Sequence, residues 1–300
     1  MSTTAQSFGT VLSKELGLKY PLVIAPMFII SNAQMLISAA QAGIMGAIPS
    51  LNGRTHQDFR GILEEIRRHT DGPFAVNMTI GLTDPKRREE DFQACLDFEV
   101  PVLITSYGDP TDFVRRAKER KMKVFHDVIN LKHALKAQSA GVDGIIAVAN
   151  GAGGHAGTMT PFAMIPYLRE NLNVPVIAAG AISGGQQIAS SLALGAELCY
   201  MGTRFIASEE CGASQDYKEM VVTAGPEDIV YTDKVSGTPA NFIKQSLPNM
   251  QDSSEVGKKW KDIWSAGHGV AQIKKIATIE QIVDDIAKEY HDTVKRLTQY

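Results

Sequence analysis

The chain is poor in the features that mark several protein classes. Among its 300 residues are only three cysteines, Cys95, Cys199 and Cys211, with no C-x-x-C spacing. This excludes a zinc ribbon or a dithiol redox motif and fits a reducing, cytoplasmic setting. It also lacks H-E-x-x-H and any close Cys/His or carboxylate cluster at ligand spacing, so no metal centre is expected, and without G-x-S-x-G no serine nucleophile is indicated. Charge of either sign is not in excess: 30 Lys and Arg stand against 33 Asp and Glu, a net charge of −3. No broad positive field favours nucleic acid. The basic runs Lys86-Arg87-Arg88 and Lys258-Lys259 lie among acidic and aromatic residues and read as solvated faces. No apolar run approaches the ~18 residues of a membrane span, and Met1 to Thr10 carries no signal-like pattern, so a cytosolic protein is expected.

What is present is a rhythm. Short apolar β-prone runs occur at Leu22 to Ala25, Met45 to Ile48, Phe74 to Asn77, Val102 to Ser106, Lys123 to His126, Gly144 to Val148, Val176 to Ala179 and Leu198 to Met201. Between them lie amphipathic stretches near 32–42, 55–69, 85–97, 110–120, 130–140, 161–171 and 184–194. Asn32, Thr55, Asp84-Pro85, Asp109-Pro110, Thr160-Pro161 and Ser183 open these stretches with capping side chains or an early proline. The strands are almost continuously apolar, as in a parallel sheet buried on both faces. Eight such units predict a single α/β domain over 1–300, a (β/α)8 TIM barrel. After residue 206 the rhythm stops, and it resumes only with a helix from Thr278 to about Gln299, read as the eighth barrel helix. Residues 207–270 are therefore an insertion after strand eight, either a lid walling the catalytic face or a small oligomerisation element making a homodimer.

Two glycine loops point to a phosphate. Val174-Pro-Val-Ile-Ala-Ala-Gly-Ala-Ile-Ser-Gly-Gly185 runs from strand seven into a helix, and Leu198-Cys-Tyr-Met-Gly-Thr-Arg-Phe205 repeats the device after strand eight. Barrels frequently bind phosphate with these two loops. Small residues let backbone N–H groups approach an anion, helix starts favour its charge, and Thr203 or Ser183 adds a hydroxyl.

A third glycine loop, Ala149-Asn-Gly-Ala-Gly-Gly-His-Ala-Gly157, follows strand six. Gly151, Gly153 and Ala156 match G-x-G-x-x-G/A literally, but in the dinucleotide fingerprint the glycines themselves open the helix, whereas here Thr160-Pro161 marks the start. The loop reads instead as a wall where backbone approaches a ligand. Among seven histidines, His155 alone has such small neighbours at the carboxyl end of a strand, where barrel enzymes keep their catalytic groups. His126 also ends a strand and either caps the following helix or faces the ligand. His56, His69, His133 and His291 fall on helices and read as solvated.

Met27 after Ile-Ala-Pro, Ala-Gly-Gly-His-Ala-Gly of 152–157, Pro-Val-Ile-Ala-Ala-Gly of 175–180 and Met-Gly-Thr-Arg-Phe of 201–205 together resemble the nitronate monooxygenase family. Asp228-Ile-Val-Tyr-Thr232, Gly237-Thr-Pro-Ala-Asn241 and Trp264-Ser-Ala-Gly-His-Gly269 extend the likeness. The resemblance implies non-covalent FMN, with its phosphate on Gly180, Ala181, Gly202 and Thr203 and its ring near Ala25, Pro26, Met27 and Asn77. It implies His155 as the catalytic histidine, and His126, Gly153, Gly154 and Ala179 count among the candidate cofactor contacts. It further implies oxidation of alkyl nitronates with O2 to carbonyl compounds and nitrite. The sequence departs from the commoner pattern at Ala181, where relatives carry glycine, at Val148 to Gly151, and at His268, where glutamine is frequent. Quinone and enoyl-thioester reductases that use NAD(P)H share a similar Gly-Gly-His loop, which leaves an NAD(P)H-dependent FMN reductase as the alternative. A non-catalytic barrel holding a phosphate metabolite is a third reading.

Overall fold

The structure, a computed structural model, describes residues 6–235, 237–247 and 263–300. Eight parallel strands close into a barrel: β1 (Leu22–Ile24), β2 (Met45–Pro49), β3 (Phe74–Thr79), β4 (Val102–Ser106), β5 (Lys123–Val128), β6 (Gly144–Val148), β7 (Val176–Ala179) and β8 (Leu198–Met201). Closure is made by β1 on β8, with Leu22 opposite Cys199 and Ile24 opposite Met201. The expected (β/α)8 fold is found, and each strand lies within two residues of its predicted bounds.

Outside the barrel stand α1 (Ala33–Gln41), α2 (His56–His69), α3 (Pro85–Asp97), α4 (Thr111–Lys118), α5 (Leu131–Ser139), α6 (Pro161–Asn171), α7 (Gly185–Ala193) and α8 (Ile279–Leu297). Their starts follow the local chemistry. Asn32, Asp84 and Asn130 accept backbone N–H groups of the first turn, and Thr55 and Thr278 form capping boxes with Asp58 and Gln281. Two expected caps are absent. Ser183 does not cap α7; its N-cap is Gly184, and the Gly185 N–H is donated to Glu289 Oε2 of α8 at 2.9 Å. His126-Asp127 does not cap α5, because Asn130 sits nearer the helix start and does so.

Strand alternation sorts the core into two layers. Val23, Met45, Ala75, Val102, Phe125, Ile146, Ile177 and Leu198, one from each strand, fill the lumen. Ile24, Val76, Leu103, Val124, Ile145, Ala178 and Cys199 face the helices. Full burial of such side chains stabilises the fold by roughly 1.5–3 kcal/mol each. A short helix not foreseen from the sequence, Val11–Glu15, adds Leu12 to the lumen cluster, and the Thr10 hydroxyl donates to the Glu197 carbonyl. Leu12 thereby packs into the lumen from the amino end of the barrel.

The basic run on α3 is not merely solvated. Arg87 pairs with buried Asp91 at 2.8 Å and donates to the Gly53 and Arg54 carbonyls, while Arg88 donates to the Ile80 carbonyl. His56 likewise contacts Asp91 at 3.2 Å rather than standing free on its helix. These groups tie the loops after β2 and β3 to α3. Lys258-Lys259 lies outside the described residues.

Candidate active site

At the carboxyl ends of the strands is a cavity of about 1140 Å³, larger than the roughly 300–1,000 Å³ common for a single small ligand. Its wall brings together all thirteen sequence-predicted site residues: Ala25, Pro26 and Met27 after β1, Asn77 on β3, His126 on β5, and Gly153, Gly154 and His155 after β6. Ala179, Gly180 and Ala181 follow from β7, and Gly202 and Thr203 from β8.

The two phosphate-type loops differ in what they have to offer. Gly180 has φ +115°, and a Cβ there would press on the Ala149 and Asn150 carbonyls, so only glycine fits. Ala181 follows at φ +54°, the left-handed region that favours glycine. Its N–H, expected at the anion, is donated to the Gly151 carbonyl at 3.2 Å. After β8, Thr203 opens a short helix, Thr203–Ile206, and its Oγ1 accepts the Gly267 N–H at 2.9 Å. A hydroxyl has one proton to give, so Thr203 keeps its donor for the cavity.

Described residues between 207 and 270, among them Tyr231, Thr238, Pro239 and Trp264, line another part of the wall, and here the sequence rhythm was silent. Strands Ile229–Thr232 and Ala240–Ile243 form an antiparallel pair, and the second adds Gly154–His155, with Ala240 opposite His155 and Asn241 opposite Gly154. Asn241 donates to the Ala152 carbonyl at 2.7 Å and Tyr231 to the Ala156 carbonyl at 3.0 Å. His268 N–H reaches the Gly151 carbonyl at 3.0 Å. Gly267 lies so close that a Cβ would sit 2.2 Å from the Gly151 oxygen. The histidine loop is thus clamped between the mouth strands and the Trp264–Gly269 segment. Gly267, Asn241 and Tyr231 were not singled out from the sequence, although the family-like motifs contain them. Tyr107 and Asp127 had no sequence signal at all.

The electrostatics of the wall favour neutral groups. Burial lowers the pKa of His155, so its imidazole is uncharged near neutral pH. His126 shares the helix-facing side of β5 with Val124 and Val128. Its Nδ1 lies 2.8 Å from the Thr105 hydroxyl, and burial above all, then His133, pushes it down to about 4. It reaches the cavity at the edge near His133, which also lines the wall. Asp127, on the lumen side with Phe125, is pushed up to about 7 by burial. Among the described residues, Ser183 Oγ, Asp127 Oδ1 and Tyr200 Oη are buried without hydrogen-bond partners, and all three residues line the cavity.

The family model described as nitronate monooxygenase matches residues 10–259. The chain is 28% identical over 279 residues to the probable nitronate monooxygenase of Staphylococcus saprophyticus, covering 77% of this chain and 78% of that one. It is 26% identical over 245 residues to a hydroxy-methyl-oxo-octahydroindene-carboxyl-CoA dehydrogenase of Rhodococcus jostii, covering 82% and 68%. Among solved structures, FabK from Thermotoga maritima superposes with a TM-score of 0.88 at 31% identity, covering 98% of this chain and 100% of that one. Nitroalkane oxidase from Streptomyces ansochromogenes shares the fold with a TM-score of 0.82 at 23% identity, covering 95% and 99%. With its family model matched over most of its length, the chain belongs to the nitronate monooxygenase family and is an oxidoreductase.

Proposed function

We propose that the protein oxidises alkyl nitronates with O2 to carbonyl compounds and nitrite, using non-covalent FMN held at the barrel mouth. The observation that carries this reading is the convergence, on one cavity, of the loops after β7 and β8 with a neutral His155 on the loop after β6. The donor set suits a phosphate-bearing flavin. Unmet buried polar groups cost roughly 1–3 kcal/mol each. Those of Ser183, Asp127 and Tyr200 therefore call for a polar ligand in this cavity. Thr203 and Ser183 would donate to the phosphate beside the Gly180 turn, and Ala25 and Asn77 would border the ring. When bound, FMN supplies the electron acceptor that the side chains themselves lack.

The chain's own residues then do three things. The mouth strands hold the backbone of His155 at the cavity wall. Being neutral, that imidazole orients a nitronate by hydrogen bonding rather than by charge, and it can take the proton of a neutral nitroalkane. The Trp264–Gly269 segment closes over the glycine loops and excludes water from them.

A second reading, NAD(P)H-dependent reduction of a quinone or an enoyl thioester, is favoured by the relative named for a carboxyl-CoA substrate and by a cavity with room for a second large ligand. Steady-state assays separate the two. Nitrite release and O2 uptake from an alkyl nitronate without nicotinamide are expected; turnover only when NADH or NADPH is added would transfer the assignment to the second reading.

A further inference from the structure

The loop after β4 carries Tyr107 into the same cavity in an unfavourable backbone conformation. Tyr107 has φ +53°, the left-handed region that bulky residues avoid. Its carbonyl is held there by the Gly81 N–H. The conformation does not bury the residue fully, since it stays 43% exposed. The ring lines the cavity and meets His155 edge-on, with centroids 5.7 Å apart and planes at 74°. Among the described residues nothing hydrogen-bonds its hydroxyl. Burial of the ring and the nearby Asp127 raise the pKa of the phenol, so the hydroxyl keeps its proton and is a donor. Backbone strain of this kind costs of order 1–3 kcal/mol and persists at sites where a ligand uses it. Among the described residues no hydrogen bond to the phenol offsets it, and the ring is only partly buried.

We propose that Tyr107 binds substrate and sets its class: the phenol donates a hydrogen bond to an oxygen of a small planar anion, while the ring edge fixes the orientation of His155. The proposal rests on the reading of this cavity as a nitronate site and adds to it a preference for anionic over neutral ligands. Two oxygens sharing one negative charge are strong acceptors, and a donor to a charged group contributes more than one to a neutral group.

Tyr107→Phe keeps the ring, the backbone strain and the His155 contact and removes only the hydroxyl. Butanoate is the probe, because it has the planar two-oxygen anion of a nitronate and does not react. Its binding to the holoenzyme is followed by calorimetry and by the absorbance of the bound flavin, with butanamide as the neutral control. We expect Tyr107→Phe to weaken butanoate about ten- to a hundredfold while leaving butanamide, flavin content and thermal midpoint unchanged. KM for a nitronate should rise by a similar factor, with kcat little altered. Equal butanoate binding by the two proteins, or no butanoate binding by the wild type, overturns the proposal. If nitronates fail to turn over but butanoate still discriminates, the nitronate reading falls and the Tyr107 donor stands.

Discussion

His126 and Asp127 are neighbours in sequence and opposites in titration, because burial disfavours the charged form of each, the imidazolium of one and the carboxylate of the other. His126 is pushed down to about 4 by burial, so the unfolded chain binds its proton more readily. Its stabilisation is complete above the ordinary histidine range and is lost as pH falls toward 4. Asp127 is pushed up to about 7, so the folded state binds its proton more readily, and stability is lost as pH rises from about 4 to 7. A tenfold change in proton affinity on folding is worth about 1.4 kcal/mol. The two slopes oppose each other, and the wild-type apoprotein should change little in stability between about pH 4.5 and 6.5. Denaturant melts of Asp127→Asn should show stability rising with pH across that window, and those of His126→Gln should show it falling. Parallel profiles for all three proteins would refute the assignment. At the same scale, His155→Ala should retain its flavin and lose about 10²- to 10⁴-fold in turnover, measured as nitrite release. Loss of flavin from a folded variant would make His155 a cofactor anchor instead.

At the scale of elements, the clamp on the histidine loop makes its own predictions. Asn241→Ala removes a buried donor from the Ala152 carbonyl and should cost about 1–3 kcal/mol of stability in denaturant melts, together with a weaker hold on the flavin. Gly267→Ala places a methyl group against the Gly151 oxygen and separates the Gly267 N–H from Thr203. It should lower flavin affinity more than Asn241→Ala, read by fluorescence titration of the apoprotein. The barrel elements were legible in the sequence because each strand is buried on both faces and most helix starts carry their own cap. The mouth strands were not, since Ile229–Thr232 and Ala240–Ile243 are short, antiparallel and paired in part with a two-residue strand. Nothing local in Gly154–His155 announces a strand; its partner, some 85 residues away, creates it. Ser183 failed as a cap for a similar reason, because Glu289 on α8 supplies the acceptor across a long sequence separation.

For the whole molecule, Leu12 packs into the lumen from the amino end, and a large cavity lies where the carboxyl ends of the strands converge. The glycine loops and His155 could be placed there from spacing alone, since a (β/α)8 barrel sends every loop that follows a strand to one face. Tyr107 and Asp127 could not, because their meaning lies in a left-handed backbone and in strand parity beside the cavity at the barrel mouth. The same geometry underlies the central claim, that a flavin is held at this face with a nitronate delivered beside His155. The direct test is anaerobic mixing of the purified holoenzyme with an alkyl nitronate and, separately, with NADH, following the visible absorbance of the bound flavin. The nitronate is expected to reduce the flavin within the time of one turnover, and NADH far more slowly. Rapid bleaching by NADH, with no change on adding nitronates of several chain lengths, would contradict the central claim.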